Sequence, residues 1–254
     1  MDAAASHRAG PRLLGRRLIG PSLRAGRVVA VSPVAARMRR ITLDVPDLDW
    51  TPGQQVRVCV GSIGARASWL NGPRRSYSVW AYEPGGPGPD DRSARLQLCV
   101  LDHGDGPGAR WARSVQAGDE VLFSPPAGTL VLRPAAHYLF AGEETAAVAF
   151  GPMLAALGDV PYRAVIEVDA PASRLPLPDE VTWRYRDGAP AASSASLVAA
   201  VAELDLPPGP GVAYLAGEAR TIQAVSQHLV RERGWPRRSI RAKPFWVPGK
   251  TGLD

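Results

Sequence analysis

The stretch that decides the fold is HYLFAGEETAAVAFGPMLAAL, residues 137–157. It opens with a short apolar run that ends at Ala141-Gly142, and after Glu143-Glu144 it continues as a long apolar segment. A buried strand that leads directly into a helix is the unit from which parallel sheets are built. We therefore predict a strand over 137–142, a helix over 145–157 and an α/β domain around them.

The chain after residue 157 repeats this unit. Further strands are predicted at 163–170, 181–186 and 212–217, and helices at 196–204 and 220–234. A second strand end, Ala216-Gly217-Glu218-Ala219, matches the first. Nucleotides bind at the carboxyl ends of parallel strands, so Gly142 and Gly217 are expected to admit a ligand there. Thr145 is expected to cap its helix and present its hydroxyl to the same crevice. Turn glycines and capping acids are the alternative for each motif taken singly.

The part of the chain from Arg27 to about Gly128 has a different pattern of apolar residues. Short alternating apolar segments are separated by Pro, Gly, Asp or Asn, at 27–32, 39–45, 54–60, 75–82, 95–101 and 119–125. Strands at this spacing are typical of a small antiparallel barrel. The predicted fold class is therefore a β-barrel followed by an α/β domain with a parallel sheet. We place the two domains at 23–132 and 133–254, after a mobile basic tail at 1–22.

Composition limits the class of protein. The chain has 254 residues, no run of about 18 apolar residues and no apolar segment after Arg16-Arg17, so neither a membrane span nor a secretion signal is predicted. Cys59 and Cys99 lie in alternating apolar segments and are predicted to be buried thiols, which fits a cytoplasmic protein. The four His and two Cys lack the spacing of metal ligands. The dispersed basic residues do not predict nucleic-acid binding, and a monomer is expected.

Two motifs in the barrel carry chemistry. The first is Arg75-Ser76-Tyr77-Ser78 on an extended strand. Its spacing lets a guanidinium bind a phosphate, an aromatic ring cover a planar ligand and a hydroxyl reach a ring nitrogen of that ligand. Asp102-His103-Gly104-Asp105-Gly106-Pro107-Gly108-Ala109 opens the helix that carries Trp111, and its small residues and free amides favour a pyrophosphate. An ordinary barrel strand and a glycine-rich loop are the alternatives. We expect His103 to position a ligand rather than to transfer a proton.

The order of four motifs, RSYS, HGDGPGARWA, GEETA and AGEA, resembles the siderophore-interacting proteins of the ferredoxin-NADP reductase superfamily. The resemblance covers about Arg27 to Asp254, and the ending AKPFWVPGKTGLD is similar to the family's Y-W-x-P-G-[KR]-T-G. It implies FAD in the barrel, NADPH or NADH in the α/β domain and a ferric siderophore as substrate. By this resemblance the protein is a flavoprotein that reduces ferric siderophore and releases Fe(II).

The resemblance also implies residue roles. Arg75 would bind FAD phosphate, Tyr77 would pack on the isoalloxazine and Ser78 would hydrogen-bond near its reactive nitrogen. Thr145 would sit between flavin and nicotinamide. The family's usual Arg two residues after the Ser/Thr is Trp80 here, and Glu143 replaces the usual Asp. The full implied cofactor set is Arg75, Ser76, Tyr77, Ser78, Asp102, His103, Gly106, Pro107, Gly108, Ala109, Trp111, Gly142, Glu144, Thr145, Ala146, Gly217 and Glu218.

The only two lysines, Lys243 and Lys250, lie near the end of an otherwise Arg-only chain. With Arg241 they would form a basic floor for an anionic siderophore, or alternatively a solvated tail. Asp169 could bind a ribose diol and Arg174 a 2′-phosphate, so the choice of NADH or NADPH stays open.

Two rival functions stay open as well. The first is a general NAD(P)H:flavin or electron-transfer reductase of the same superfamily. The second is a basic module that binds siderophore or nucleic acid without flavin.

Overall fold

The computed structural model describes residues 23–61, 72–86 and 93–250. The predicted tail at 1–22 lies outside the described residues. Within the described part, no helix is long and apolar enough to span a bilayer. The chain forms a closed antiparallel barrel and a separate parallel sheet, which confirms the predicted fold class.

Six strands close the barrel in the order β1-β2-β5-β4-β3-β6. Their bounds are β1 (Arg24–Ala35), β2 (Met38–Val45), β3 (Gln55–Cys59), β4 (Arg74–Glu83), β5 (Ala94–Leu101) and β6 (Glu120–Phe123). Apolar residues alternate along them, and Ile41, Leu43, Leu96 and Leu98 are all 0% exposed. This period-two pattern fills the barrel interior with side chains. Helix α1 (Pro107–Ser114) connects β5 to β6.

Five parallel strands form the second sheet in the order β11-β10-β7-β8-β9. They are β7 (Tyr138–Glu143), β8 (Tyr162–Val168), β9 (Val181–Tyr185), β10 (Val212–Glu218) and β11 (Ile240–Trp246). The helices are α2 (Glu144–Ala155), α3 (Ala195–Ala202) and α4 (Ala219–Arg231), with short 3-10 turns at 171–173 and 237–239. The strands and helices alternate as the sequence predicts.

Helix α2 is buried between the sheet and the barrel. Its Phe150 and Met153 belong to one apolar cluster with Met38 and Cys99 from the barrel. A helix that is apolar on nearly all sides is stable only in such an enclosed place. Helices α3 and α4 pack on the opposite face of the sheet, in a second cluster. The barrel and the sheet therefore share a core across α2.

Trp80 adds a contact across the same boundary. The pairing of β4 with β5 shifts register between Val79 and Ala81, and Trp80 lies at this irregularity. A Cβ built on Gly151 of α2 would fall 2.6 Å from the Trp80 ring and 3.2 Å from Leu177. Trp80 therefore fills a hole that the glycine leaves in the helix surface.

A strand after α4 was not predicted from the sequence. Residues 240–246 form β11, which pairs in parallel with β10 at the edge of the sheet. None of its residues is buried, and it contains Arg241, Lys243 and Pro244, so the apolar pattern of a strand is missing. An edge strand tolerates proline because one of its sides makes no ladder.

Both cysteines are free and buried, as predicted, Cys59 on β3 and Cys99 on β5. Burial raises the pKa of the Cys99 thiol to about 12. The Cys99 thiol is therefore an unreactive core group.

Candidate functional site

The barrel and the sheet meet along a seam, which we define by Arg37 and Gly128 on the barrel side and Glu144 and Lys243 on the sheet side. An Arg37 guanidinium nitrogen lies 3.8 Å from a Glu144 carboxylate oxygen. The Lys243 ammonium lies 3.5 Å from where a Cβ of Gly128 would stand. The first contact joins the barrel to the start of α2, and the second joins the barrel to β11.

Strand β4 carries the first predicted motif to this region. Ser78 is buried and its hydroxyl accepts a hydrogen bond of 3.3 Å from the Gln55 amide. Tyr77 stacks on Trp111 of α1, with ring centroids 5.7 Å apart and an interplanar angle of 28°. Burial raises the pKa of Tyr77 above its ordinary value, so its phenol stays neutral. Two predicted flavin-site residues, Tyr77 and Trp111, are thus in direct contact.

The start of α1 lies beside β4 and is open. Gly106 is the N-cap and contributes no side-chain hydrogen bond, so the first amides of the helix are left without a side-chain cap. Nothing lies within 4 Å of a Cβ built on Gly104 or Gly106. A Cβ on Gly108 would fall 2.5 Å from the Tyr77 hydroxyl and 3.4 Å from Arg75 Cγ. The Arg75 side chain therefore runs beside these amides.

The loop before α1 is held by Arg113. Its guanidinium donates to the Asp102 carboxylate at 2.7 Å, to Asp105 at 3.1 Å and to the Gly104 carbonyl at 2.5 Å. The bond to Arg113 lowers the pKa of Asp102. Burial and nearby Arg37 lower the pKa of His103, which is therefore neutral at pH 7.

On the sheet side, four buried carboxylates lie at the carboxyl ends of the strands: Glu143, Glu144, Glu167 and Glu218. Arg186 binds Glu144 through two bonds of 2.6 and 2.7 Å, and one of its nitrogens lies 3.8 Å from Glu167. The bidentate geometry and the nearby Glu167 compensate for much of the cost of burying these charges.

Glu143 and Glu218 cap two of the helices that begin at this edge, α2 and α4. Glu143 accepts from the Thr145 amide at 2.9 Å and from the Thr145 hydroxyl. Glu218 accepts from the Thr221 amide at 2.9 Å and from the Ser193 amide at 3.2 Å. These carboxylates therefore satisfy amides at the starts of α2 and α4 with the protein's own anions.

The space beside Gly142 and Gly217 differs from the expectation. A Cβ on Gly142 would overlap the Ala216 carbonyl and stand 2.5 Å from the Ala146 side chain. Gly217 has a φ of +118°, and a Cβ there would fall 2.5 Å from Glu143 Oε1. Both glycines make room for protein atoms, because the strands and α2 pack tightly here. Of the predicted crevice residues, Thr145 is partly exposed, whereas Glu144 and Ala146 are buried.

Lys243 lies at the barrel end of the seam. It is half-buried, and burial together with nearby Arg57 lowers its pKa. Gly128 follows Ala127, which pairs with Gln55, the partner of Ser78. The ammonium thus lies close to the strand pair that carries Ser78. Lys250 is exposed, whereas Arg241 on β11 is partly buried.

Comparison with known proteins identifies the family. Residues 27–130 match the siderophore-interacting FAD-binding domain, and residues 135–249 match the siderophore-interacting protein family. The chain belongs to the siderophore-interacting protein family.

Individual relatives agree with this family. The ferric vibriobactin reductase ViuB of Vibrio cholerae is 28% identical over 186 residues, which cover 70% of this chain and 65% of that protein. The match thus spans slightly less than two thirds of the curated relative.

Two solved structures match over a larger share of both chains. The siderophore utilization protein from T. fusca has a TM-score of 0.74 and 26% identity, covering 91% of this chain and 95% of that one. The siderophore-interacting protein SipS from Aeromonas hydrophila has a TM-score of 0.73 and 26% identity, covering 90% of this chain and 93% of that one.

The barrel of this siderophore-interacting protein fits the FAD that its family binds. FAD carries a pyrophosphate, and the start of α1 offers amides without a side-chain cap, open space at Gly104 and Gly106, and the Arg75 guanidinium. Of the four helices in the described residues, α1 is the one whose N-cap contributes no side-chain hydrogen bond. A dianionic group therefore fits here and not at the starts of α2 and α4.

Sequence reasoning missed three residues of the site. Arg57 lies in QQVRVCV, where its exposed position alternates with buried valines. Arg186 ends a predicted strand, and Trp246 lies in the C-terminal motif, but their carboxylate partners are 42 and 103 residues away in the chain. Of the three residues, only Arg57 could have been found from the sequence, through the alternation of its strand.

Proposed function

We propose that this protein reduces ferric siderophores to release Fe(II), with FAD as its cofactor and NADPH as its electron donor. The observation that carries the proposal is the seam, where an open anion site beside Arg75, the buried Ser78 and the half-buried Lys243 lie together. The family match and the ferric reductase relative support the same reaction.

FAD would be held by the barrel. Arg75 and the amides at the start of α1 would bind its phosphates, and Ser78 and Tyr77 would lie along its ring system. Gln55, which donates to Ser78, would fix the orientation of that hydroxyl. When bound, FAD would accept electrons from the nicotinamide and pass them singly to Fe(III).

The siderophore would bind against Lys243 and Arg57. Ferric siderophores present carboxylate, catecholate or hydroxamate oxygens, and cations nearby raise the local concentration of such anions. Lys243 is half-buried, so its charge is less screened than that of the exposed Lys250. Reduction of the iron weakens the hold of the hard oxygen ligands, and the metal leaves.

NADPH is favoured over NADH by the edge of the sheet beyond β9. The Arg174 guanidinium carbon lies 5.2 Å from the Tyr185 ring and 5.5 Å from the Trp183 ring, and Arg174 donates to the Tyr185 hydroxyl. An exposed guanidinium on an aromatic surface suits a 2′-phosphate beside adenine. The Asp169 carboxylate instead accepts from the Gly188 amide at 3.2 Å. Arg174→Ala should therefore raise the KM for NADPH and leave the KM for NADH unchanged.

The domain roles and the setting belong to the same proposal. Residues 23–132 would bind FAD and residues 133–254 the nicotinamide cofactor, with the siderophore contacted by the C-terminal segment. The two buried free thiols support a reducing, cytoplasmic setting, and we propose a monomer as the active form.

An anaerobic turnover assay tests the function. FAD-loaded protein, NADPH and a ferric siderophore are mixed with a ferrous-specific chelator, and coloured Fe(II) chelate is followed in time. Parallel reactions offer ferredoxin or free flavin as acceptor. Faster turnover with the ferric siderophore supports the proposal. Preference for ferredoxin or free flavin would favour the general reductase, and a purified protein that takes up no FAD would favour the binding module.

A further inference from the structure

The carboxyl of Glu143 joins three elements of the sheet domain. Glu143 ends β7 and is 1% exposed. It accepts from the Thr145 amide and hydroxyl at the start of α2, and Oε1 accepts from the Trp246 indole at 3.0 Å on β11. All three donors are uncharged, so the carboxyl is buried without a cation bonded to it.

The backbone around Glu143 is shaped for this contact. Gly217 on β10 has a φ of +118°, and any side chain there would meet the Glu143 carboxyl. The β10–β11 pairing shifts register between Gly217 and Glu218, so that Trp246 stands opposite Glu218. A straight ladder would place Phe245 opposite Glu218. The shift therefore brings the indole of Trp246 to the end of β7.

Burying an uncompensated carboxyl disfavours folding, and an apolar residue would avoid this cost. Within the described residues, the hydrogen bond between Trp246 and Glu143 is the one side-chain bond that ties the end of β11 to the rest of the sheet. The strand is at an edge and has β10 as its sole neighbour. Three residues before Trp246 lies Lys243, at the seam.

We propose that Glu143 is a positioning residue that fixes the carboxyl end of β11, and with it Lys243, against the start of α2. The consequence for siderophore binding rests on the proposed function. Glu143 would not touch the siderophore. It would hold Trp246, and Trp246 would hold the strand from which Lys243 extends.

Hydrogen exchange of the substrate-free protein tests the positioning role without any siderophore. In Glu143→Ala, amides of 240–246 should exchange about tenfold faster, which corresponds to one lost hydrogen bond of about 1.4 kcal/mol. The barrel strand β2 should exchange as in the wild type. Glu143→Gln keeps a carbonyl acceptor and should restore slow exchange. Unchanged exchange at β11, or equal acceleration in β2, would overturn the proposal.

Trp246→Phe removes the indole N–H donor and keeps a smaller aromatic ring, so it serves if Glu143→Ala fails to fold. It should speed exchange of β11 as Glu143→Ala does, and the double variant should add nothing further. Additive effects would show that the two residues act separately.

In kinetics, both variants should raise the KM for ferric siderophore several-fold at little change in kcat. If β11 loosens but no siderophore is reduced by any variant or by the wild type, the positioning role stands and the proposed function fails.

Discussion

At the scale of single residues, Gly108 makes room for Tyr77. Gly108 follows Pro107 in α1, and the Tyr77 hydroxyl lies 2.5 Å from where a methyl group at residue 108 would stand. Gly108→Ala should displace Tyr77 from its stack on Trp111 and lower the free energy of unfolding by about 1–3 kcal/mol, as overpacking does.

Denaturant unfolding of the FAD-free protein measures this cost. The matched control is Gly106→Ala, because nothing lies within 4 Å of a Cβ at that position. Its effect should stay below about 1 kcal/mol. Equal effects of the two substitutions would mean that Tyr77 does not occupy the space beside Gly108.

Glu143 should make stability depend on pH. Burial, and secondarily the Glu144 carboxylate, raises the pKa of Glu143 from 4.5 to about 7. The folded protein therefore retains a proton that the unfolded chain releases above pH 4.5. The resulting stability is fully present below the unfolded-state pKa and is lost as the pH rises through about 7.

We expect the wild-type free energy of unfolding, minus that of Glu143→Gln, to fall by on the order of 2 kcal/mol across this range. Parallel denaturant titrations at several pH values give the difference, in which the contributions of carboxylates that do not interact with Glu143 cancel. A difference that is flat with pH would show that Glu143 is ionised throughout.

At the scale of elements, periodicity predicted most strands and helices, because each depends on neighbours in the sequence. Strand β11 was missed because its charges and Pro244 hide the pattern. The ends of β7 and β10 lie side by side at one edge of the sheet, as the sequence predicts. The filling of this edge by Glu143 and Glu218 was not predictable, because it depends on packing between segments far apart in the chain.

The contact between β4 and α2 yields a prediction from the hole at Gly151. Alanine favours a helix over glycine by about 1 kcal/mol, but a Cβ here would stand 2.6 Å from Trp80. Gly151→Ala should therefore destabilise the wild type by about 1–2 kcal/mol. In a Trp80→Ala background the ring is gone, and the same substitution should become stabilising.

A double-mutant cycle by chemical denaturation measures this change of sign. Effects of Gly151→Ala that are equal in the two backgrounds would show that Trp80 and Gly151 are not in contact.

At the scale of the whole molecule, the shared core across α2 should make the barrel and the sheet unfold together. Met38 belongs to the barrel, is 2% exposed and packs in the same cluster as Phe150 and Met153. Met38→Ala should lower the free energy of unfolding by about 2–5 kcal/mol. The denaturant midpoints for flavin release and for exchange of the sheet amides should fall together.

Val29→Ala is the control, because Val29 lies on the neighbouring strand β1 and is 38% exposed. It should cost less than about 1 kcal/mol. Separate midpoints for the barrel and the sheet in Met38→Ala would show that the two parts are stabilised independently.

The central claim is that ferric siderophore is reduced at the seam beside Lys243. Its most direct test is stopped-flow reoxidation of the reduced flavin by an anionic ferric siderophore, over a salt series, in wild type and Lys243→Gln. Arg184→Gln controls for net charge, because Arg184 is a partly exposed residue of β9 that pairs with Glu203. For Lys243→Gln alone, we expect a rate about three- to tenfold lower at low salt and a flatter salt dependence. Wild-type rates and salt dependence in that variant would contradict it.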